Sequence, residues 1–379
     1  MRVKVTIDRR RILQLGLAGL AACAARRRAA GPRASTAAAY RRAFVIDALS
    51  GPDGDPRERD PEALLWDPGV ADAVASGITA VNLTIAAVDD DWATMEKAAA
   101  WADRELAARP DAFLRILAAA DLRTAKTSGR LGLIYGTESL AMIGEDIDKL
   151  DAVHARGVRI AQLTYNLDGA LGTGCLAAED RGLTELGRAA IARMERLGIT
   201  VDLAHASPKT VDGALAAATG PVVFSHTGCA AVNPHPRNVS DAALRACADR
   251  GGVAGIYFMP FLRAAGQPML DDVIHHLEHV IDVAGEDGAG IGTDGAISTV
   301  VVDDQFRENH RKFIRTRKAK GVAAPGEDEN VFMFVPELNT PRKLETLAER
   351  LSARGHRDAR IEKILGGNFA RVFGDTWRG

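Results

Sequence analysis

Four side chains able to bind a metal ion or transfer protons each follow a short, apolar, β-rich run of the sequence. They are Glu138, His205, His226 and Asp294. The carboxyl ends of parallel strands meet at one end of a barrel, so we expect these side chains to converge there. Neutral imidazole and carboxylate are the zinc ligands of hydrolytic sites. A single histidine after a strand is more often structural, but the four together predict a metal centre.

The other seven histidines fall in predicted helices or loops, and we interpret them as surface or structural residues. Within this group, the close spacing of His275, His276 and His279 predicts a solvated helix face. The full set is His154, His235, His275, His276, His279, His310 and His356.

The elements that must position the four side chains alternate between strand and helix. Nine strand candidates for eight positions predict a (β/α)₈ TIM barrel with one spurious or accessory strand. The rival is a doubly wound open sheet, but no G-x-G-x-x-G follows an early strand. The strand candidates cover residues 43–46, 80–85, 113–117, 131–135, 159–164, 199–203, 221–224, 253–257 and 289–292, and the helix candidates 92–107, 143–156, 184–197, 207–218, 240–250 and 270–284.

A long polar segment between Asp294 and Pro336 interrupts this alternation. It is rich in Arg and Lys and then carries Glu327, Asp328 and Glu329. Such segments after a barrel strand often build or cover an active site. The alternative is a solvated helix followed by an acidic turn, and the sequence slightly favours this alternative.

Composition and the N-terminus restrict the class and location of the protein. The chain has 379 residues, 48 basic and 50 acidic side chains and a net charge of −2, which excludes a general nucleic-acid binder. An arginine-rich start followed by an uncharged run at 12–25 predicts a leader over 1–36 and one barrel domain over 37–379. Arg9 to Arg11 resemble a twin-arginine signal. Cys23 ends a lipobox-like run and is the predicted lipidation site, with a small-residue cleavage site or a short amphipathic helix as alternatives.

Short motifs in a common order resemble the membrane dipeptidases, peptidase family M19, which are metal-dependent hydrolases with amidohydrolase-like TIM barrels. The resemblance covers roughly 40–377. It is carried by Gly-Val-Arg at 157–159, Leu-Thr-Tyr-Asn at 163–166, Gly-Leu-Thr at 182–184, Asp-Leu-Ala-His at 202–205, Ser-His at 225–226, Pro-Arg-Asn at 236–238, Gly-Thr-Asp-Gly at 292–295 and Gly-Gly-Asn at 366–368.

The resemblance implies roles for individual residues. The family cleaves the amide bond of a dipeptide with two bridged zinc ions. By motif, His205 and His226 correspond to ligands of one zinc ion, and Glu138 to the carboxylate that bridges both. Arg237 corresponds to the group that binds the substrate carboxylate, and Asp294 to the acid that handles the proton of the attacking water.

The sequence departs from the family pattern in two ways. Leu49 and Gly51 occupy the places of a His-x-Asp pair that supplies the other zinc ion, and neither Asp47 nor Asp53 matches that pattern. We therefore expect one Zn²⁺ ion, with two not excluded. Tyr165 replaces a histidine that polarises the scissile carbonyl, and its hydroxyl is able to donate the same hydrogen bond.

These observations favour a metal-dependent hydrolase that acts on a dipeptide or short peptide outside the cytoplasm, in the periplasm or exported. Asp294 and Tyr165 are its expected catalytic residues, and Arg237 and Tyr165 its expected substrate-binding residues. A peptide-binding or maturation protein on a degenerate barrel is the alternative, and hydrolysis of a lactone or other non-peptide bond stays open. The expected partners are the peptide substrate and, through Cys23, a membrane; nucleic acid is not expected, and a monomer and an oligomer both stay open.

Overall fold

Parallel strands alternate with helices along the chain in the structure, a computed structural model that describes residues 34–377 apart from 55, 58 and 61. Cys23 and nearly all of the expected leader lie outside the described residues. The strands are β1 Ile46–Asp47, β2 Ser50–Gly51, β3 Ala80–Ala86, β4 Phe113–Arg115, β5 Leu131–Thr137, β6 Val158–Gln162, β7 Thr200–Asp202, β8 Val222–Cys229, β9 Asn238–Val239, β10 Val253–Ile256, β11 Ala289–Ile291 and β12 Gly295–Ala296. The helices are α1 Ala34–Arg42, α2 Asp67–Ala75, α3 Trp92–Ala108, α4 Ala119–Ser128, α5 Lys149–Ala155, α6 Glu185–Leu197, α7 Pro208–Ala217, α8 Asp241–Asp249, α9 Leu270–Ala284, α10 Asp304–Ala319, α11 Lys343–Ala353, α12 Asp358–Glu362 and α13 Asn368–Thr376, with 3₁₀ turns at Ala141–Ile143, Pro260–Leu262 and Pro336–Leu338 and a π-turn at Lys363–Gly367.

Eight of these strands form the barrel, in the order β1-β3-β5-β6-β7-β8-β10-β11, and every neighbouring pair is parallel. At the remaining seam, Ala48 N–H donates to the Ile291 carbonyl over 3.0 Å, and β2 pairs with β12. The predicted TIM barrel is confirmed, and the open sheet is wrong. The ninth candidate is accessory, because β4 pairs only with the first three residues of β5.

Two apolar layers explain why the chain adopts this barrel. Successive residues of β5 point to opposite faces, and they belong to different clusters: Ile134 to the smaller one, Leu133 and Tyr135 to the larger. The smaller cluster takes apolar residues from six barrel strands and includes Phe369 and Phe373 of α13. The larger cluster packs the outer faces against the helices. Burial on both faces suits near-continuous apolar strands.

Two element boundaries differ from the prediction for local reasons. The first strand begins at Ile46 rather than at residue 43, because Ala43 N–H still bonds to the Ala39 carbonyl at the end of α1. Helix α5 begins at Lys149 rather than at 143, because the 3₁₀ turn before it ends at Gly144, whose φ is 60°. Left-handed backbone of this kind ends a helix.

The polar segment after β12 contains helix α10. This agrees with the helix in the second alternative, a solvated helix followed by an acidic turn. The acidic turn is not simply solvated, however, because Glu327 is buried. The expected solvated face of α9 is also wrong at one position: His276 is fully buried, where its Nδ1 accepts from Cys229 N–H and its Nε2 lies 2.9 Å from the Leu262 carbonyl. None of the described helices is long and apolar enough to cross a membrane.

Candidate active site

Three of the predicted ligands converge at the carboxyl end of the barrel. Glu138 follows β5, His205 follows β7 and His226 lies within β8. The two Nε2 atoms of the histidines are 2.9 Å apart, and Glu138 Oε2 lies 3.6 Å from that of His205 and 3.9 Å from that of His226. Among the described residues, this is the group of three side chains whose ligand atoms are close enough to share a metal ion.

Hydrogen bonds to neighbouring residues orient the three side chains. Asn166 Nδ2 donates to the Val322 carbonyl, which leaves its Oδ1 to accept from His205 Nδ1 over 2.6 Å. His226 Nδ1 lies 2.8 Å from the Ser225 hydroxyl. Each imidazole thereby directs Nε2 into the site, as metal-binding histidines do. The Thr84 hydroxyl donates to Glu138 Oε1 over 2.9 Å, which leaves Oε2 facing the imidazoles.

The charge state of these groups suits a cation. Burial, followed by nearby positive charge, lowers the pKa of His205 and His226 well below the ordinary value, so both are neutral. When both rings carry their proton on Nδ1, the two Nε2 atoms at 2.9 Å repel one another unless a donor or a cation lies between them. Arg237 Nη2, 3.0 Å from His205 Nε2, is a donor that reaches this point. Two imidazoles and a carboxylate fit zinc.

The other expected residues surround this group. Glu138, Tyr165, His205, Arg237 and Asp294 line one cavity of about 560 Å³, and the fully buried His226 approaches His205 with 2.9 Å between the two Nε2 atoms. Burial and the nearby Glu138 raise the pKa of Asp294 well above its usual range. A carboxyl group with a raised pKa holds a proton more readily than an ordinary one, which suits a role in proton transfer.

Three residues of the cavity wall have backbone conformations that are rare for their types. Among the described residues, Val88, His205 and Asp294 are the non-glycine residues with positive φ, at 52°, 66° and 58°. All three line the cavity. Such conformations cost of order 1 kcal/mol each and are concentrated at functional sites.

Leu49, which follows β1, and Gly51, in β2, replace the expected His-x-Asp pair and also line the cavity. Asp47 does not substitute for them, because its carboxylate accepts from Thr293 N–H over 2.7 Å and from the Thr293 hydroxyl over 2.6 Å. Asp53 is paired with Arg59 at 3.1 Å. Leu49 and Gly51 therefore contribute an apolar side chain and no carboxylate to the cavity wall.

Several residues of the site were not expected to have these contacts. Thr84 and Asn166 hold the ligands, although Asn166 was noted as part of a family motif. Arg317 and Glu327 enter from the polar segment: Arg317 Nη1 donates to the Tyr165 hydroxyl over 3.3 Å and its Nε pairs with Glu327 at 2.6 Å. The only signal for these two residues was the position of the segment directly after a barrel strand.

Comparisons with known proteins agree with the fold. Residues 73–305 match the family model described as membrane dipeptidase (peptidase family M19). An uncharacterized dipeptidase of Schizosaccharomyces pombe is 34% identical over 176 residues, which are 45% of this chain and 42% of that protein. The chain thus matches less than half of the length of that curated relative.

Two solved structures share the fold over nearly their whole length. An amidohydrolase from Pseudomonas aeruginosa is 28% identical with a TM-score of 0.78, covering 90% of this chain and 99% of that chain. A metallo peptidase from Rhodobacter sphaeroides, liganded with a phosphinate mimic of the dipeptide L-Ala-D-Ala, is 22% identical with a TM-score of 0.70 and covers 88% and 99%. At 22% identity the second structure shows the fold alone.

Proposed function

Because the chain belongs to the membrane dipeptidase family, peptidase family M19, we propose that it is a metal-dependent hydrolase that cleaves the amide bond of a dipeptide or short peptide. The observation that carries the proposal is that Glu138, His205 and His226 lie close together and that Glu138 and His205 line a cavity with Arg237 and Asp294. The candidate ligands thus lie beside the candidate proton-transferring and carboxylate-binding groups.

In this proposal Glu138, His205 and His226 hold one Zn²⁺ ion. Zinc held there supplies a Lewis acid that polarises a carbonyl group and makes water more acidic. We propose one ion rather than two because Leu49 and Gly51 stand at the positions where the family has further ligands. Three protein ligands with an open position are sufficient for a catalytic zinc site.

Three residues around the ligands carry out the other parts of the proposed reaction. Arg237 binds the substrate carboxylate through its planar guanidinium, whose N–H groups match the two oxygens. Asp294 takes the proton of the attacking water and passes it to the leaving amine. Burial raises the pKa of Tyr165 to about 12, so its hydroxyl keeps its proton and donates to the carbonyl oxygen as negative charge develops there.

We also propose where the reaction takes place. The arginine-rich leader over 1–36 supports export of the barrel domain over 37–379 by the twin-arginine route, with a lipid anchor at Cys23. A cell fractionation experiment tests this part separately: the Arg9→Lys/Arg10→Lys variant should remain in the cytoplasm, and Cys23→Ala should lose membrane association.

The central experiment measures metal content and turnover on the same preparations. We expect one zinc per chain, and loss of zinc and dipeptide hydrolysis in His205→Ala and His226→Ala. His275→Ala, an exposed histidine of α9, is the matched control and should retain both. A wild-type protein that stays metal-free after purification from zinc-replete cells would refute the proposal.

The absence of first-strand ligands at Leu49 and Gly51 favours a second candidate, a peptide-binding protein without hydrolytic activity. Asp294→Asn separates the two candidates. In an enzyme this variant loses turnover while it still binds zinc, whereas in a binding protein it binds peptide without any turnover to lose.

A further inference from the structure

The polar segment after β12 carries a buried ion pair beside the active site. Arg317, in the last turn of α10, pairs with Glu327 through two bonds, Nε to Oε2 at 2.6 Å and Nη2 to Oε1 at 2.9 Å. The Glu327 side chain is 1% exposed, and its Oε1 also accepts from Ala324 N–H. A bidentate pair of this kind holds the guanidinium in one orientation.

The guanidinium has one further N–H group directed at Tyr165. Arg317 Nη1 lies 3.3 Å from the Tyr165 hydroxyl. Arginine has only donors, so the phenol oxygen accepts this bond and its own proton is left for another acceptor. On the other side, the Tyr165 ring stacks on the His205 imidazole with 4.1 Å between centroids. Tyr165 is therefore fixed at its ring and at its oxygen.

The same guanidinium shares a backbone acceptor with the residue that orients a predicted zinc ligand. Arg317 Nη2 donates to the Val322 carbonyl over 3.2 Å, and that carbonyl also accepts from Asn166 Nδ2 over 2.8 Å. Asn166 in turn accepts from His205 Nδ1. The direct contact of Arg317 with the expected site residues is therefore its hydrogen bond to Tyr165.

We propose that Arg317, fixed by Glu327, is a positioning residue for Tyr165: it orients the tyrosine hydroxyl so that its proton points to the substrate carbonyl. This inference rests on the function proposed above. A neighbouring pair provides the contrast. Arg315, on the same helix, pairs with Glu329 of the same segment at 2.8 Å, but the Arg315 side chain is 57% exposed and does not line the cavity.

The test is a double-mutant cycle with dipeptide turnover as the readout. Loss of one hydrogen bond corresponds to about a tenfold decrease in rate, so we expect Arg317→Gln to lower kcat about tenfold with little change in KM. In the Tyr165→Phe background, Arg317→Gln should have almost no further effect. Arg315→Gln is the matched control and should keep wild-type kcat. An equal loss in both backgrounds would overturn the proposal, because Arg317 would then act independently of Tyr165.

A second measurement does not depend on turnover. The chain has four tyrosines, so fluorine NMR of protein labelled with 3-fluorotyrosine gives few resonances, and Tyr165→Phe assigns the one of interest. Arg317→Gln should shift or broaden that resonance, and Arg315→Gln should leave it unchanged. Arg317→Lys, which keeps the charge but not the bidentate geometry, serves if the glutamine variant does not fold. An unchanged resonance contradicts the positioning role, even if the wild-type protein hydrolyses no dipeptide and the proposed function itself fails.

Discussion

Replacement of Asn166 by alanine tests whether the contacts around His205 serve metal binding. Asn166 is buried and its Oδ1 is the partner of His205 Nδ1, at 2.6 Å. Without this acceptor, the imidazole is free to carry its proton on Nε2 and to donate it to His226 Nε2, 2.9 Å away. Zinc must then displace that hydrogen bond and restore the other tautomer before it binds.

The size of the effect follows from the role of such partners. Removal of the group that orients a metal-binding histidine costs 10- to 100-fold in metal affinity, which is about 1.4–2.7 kcal/mol. His205 is only 5% exposed, so water is poorly placed to replace the lost acceptor. We therefore expect Asn166→Ala to weaken zinc binding by a factor in this range. Asn166→Asp keeps an acceptor for Nδ1 but loses the donor to the Val322 carbonyl, so it should bind zinc more tightly than Asn166→Ala.

Competition with a chromophoric chelator measures the zinc dissociation constants at pH 7.5. Asn339→Ala is the matched control, because Asn339 also makes two hydrogen bonds, both to the backbone of Val300, but lies outside the cavity lining. If Asn166→Ala and Asn339→Ala bind zinc equally well, the assigned tautomer of His205 is wrong and with it the argument for the ligand group.

Three further predictions concern stability and are measured by thermal or urea unfolding. A Cβ at Gly292 would lie 1.9 Å from the Ser225 carbonyl oxygen, so Gly292→Ala should lower the unfolding free energy by more than about 3 kcal/mol. Gly374→Ala in α13, where a Cβ meets nothing within 4 Å, should raise it by up to about 1 kcal/mol. Equal effects would contradict the close packing of Gly292 against β8. Burial raises the pKa of Asp47 to about 6 from 3.8. The folded protein therefore binds this proton more tightly than the unfolded chain and loses stability as the pH rises from about 4 to 6. Asp47→Asn should reduce that loss by at most about 3 kcal/mol, and an unchanged dependence of the unfolding free energy on pH would refute the assignment. Zinc at about 100 times its dissociation constant should stabilise the wild type by about 2.7 kcal/mol and leave His226→Ala unchanged, and an equal shift in both proteins would place the zinc elsewhere.

The barrel strands were predictable because each is a short apolar run followed by a polar residue, and these features are local in sequence. The ends of the runs also located Glu138, His205 and Asp294 correctly. His226 differs slightly, because β8 continues through it to Cys229. The prediction of a solvated helix face was wrong at the fully buried His276, since the sequence around it gives no local sign of its contact with Cys229.

The supporting contacts were not predictable, because they join residues far apart in sequence. Thr84 reaches Glu138 across 54 positions, and Arg317 reaches Tyr165 across 152. In a polar segment, an arginine and a glutamate such as Arg317 and Glu327 are expected to be solvated. They are largely buried because the segment packs against the barrel, and the sequence of the segment alone does not indicate this contact.

The positive φ angles of Val88, His205 and Asp294 imply an opposition between selection for activity and selection for stability. Glycine at any of these positions would relieve the backbone conformation. A chain that no longer used its cavity would gain stability by such replacements and would lose nothing by them. This chain retains a β-branched residue and two candidate site residues there, together with the folding cost of these conformations. The backbone is thus what is expected of a cavity in use, whether that use is catalysis or peptide binding.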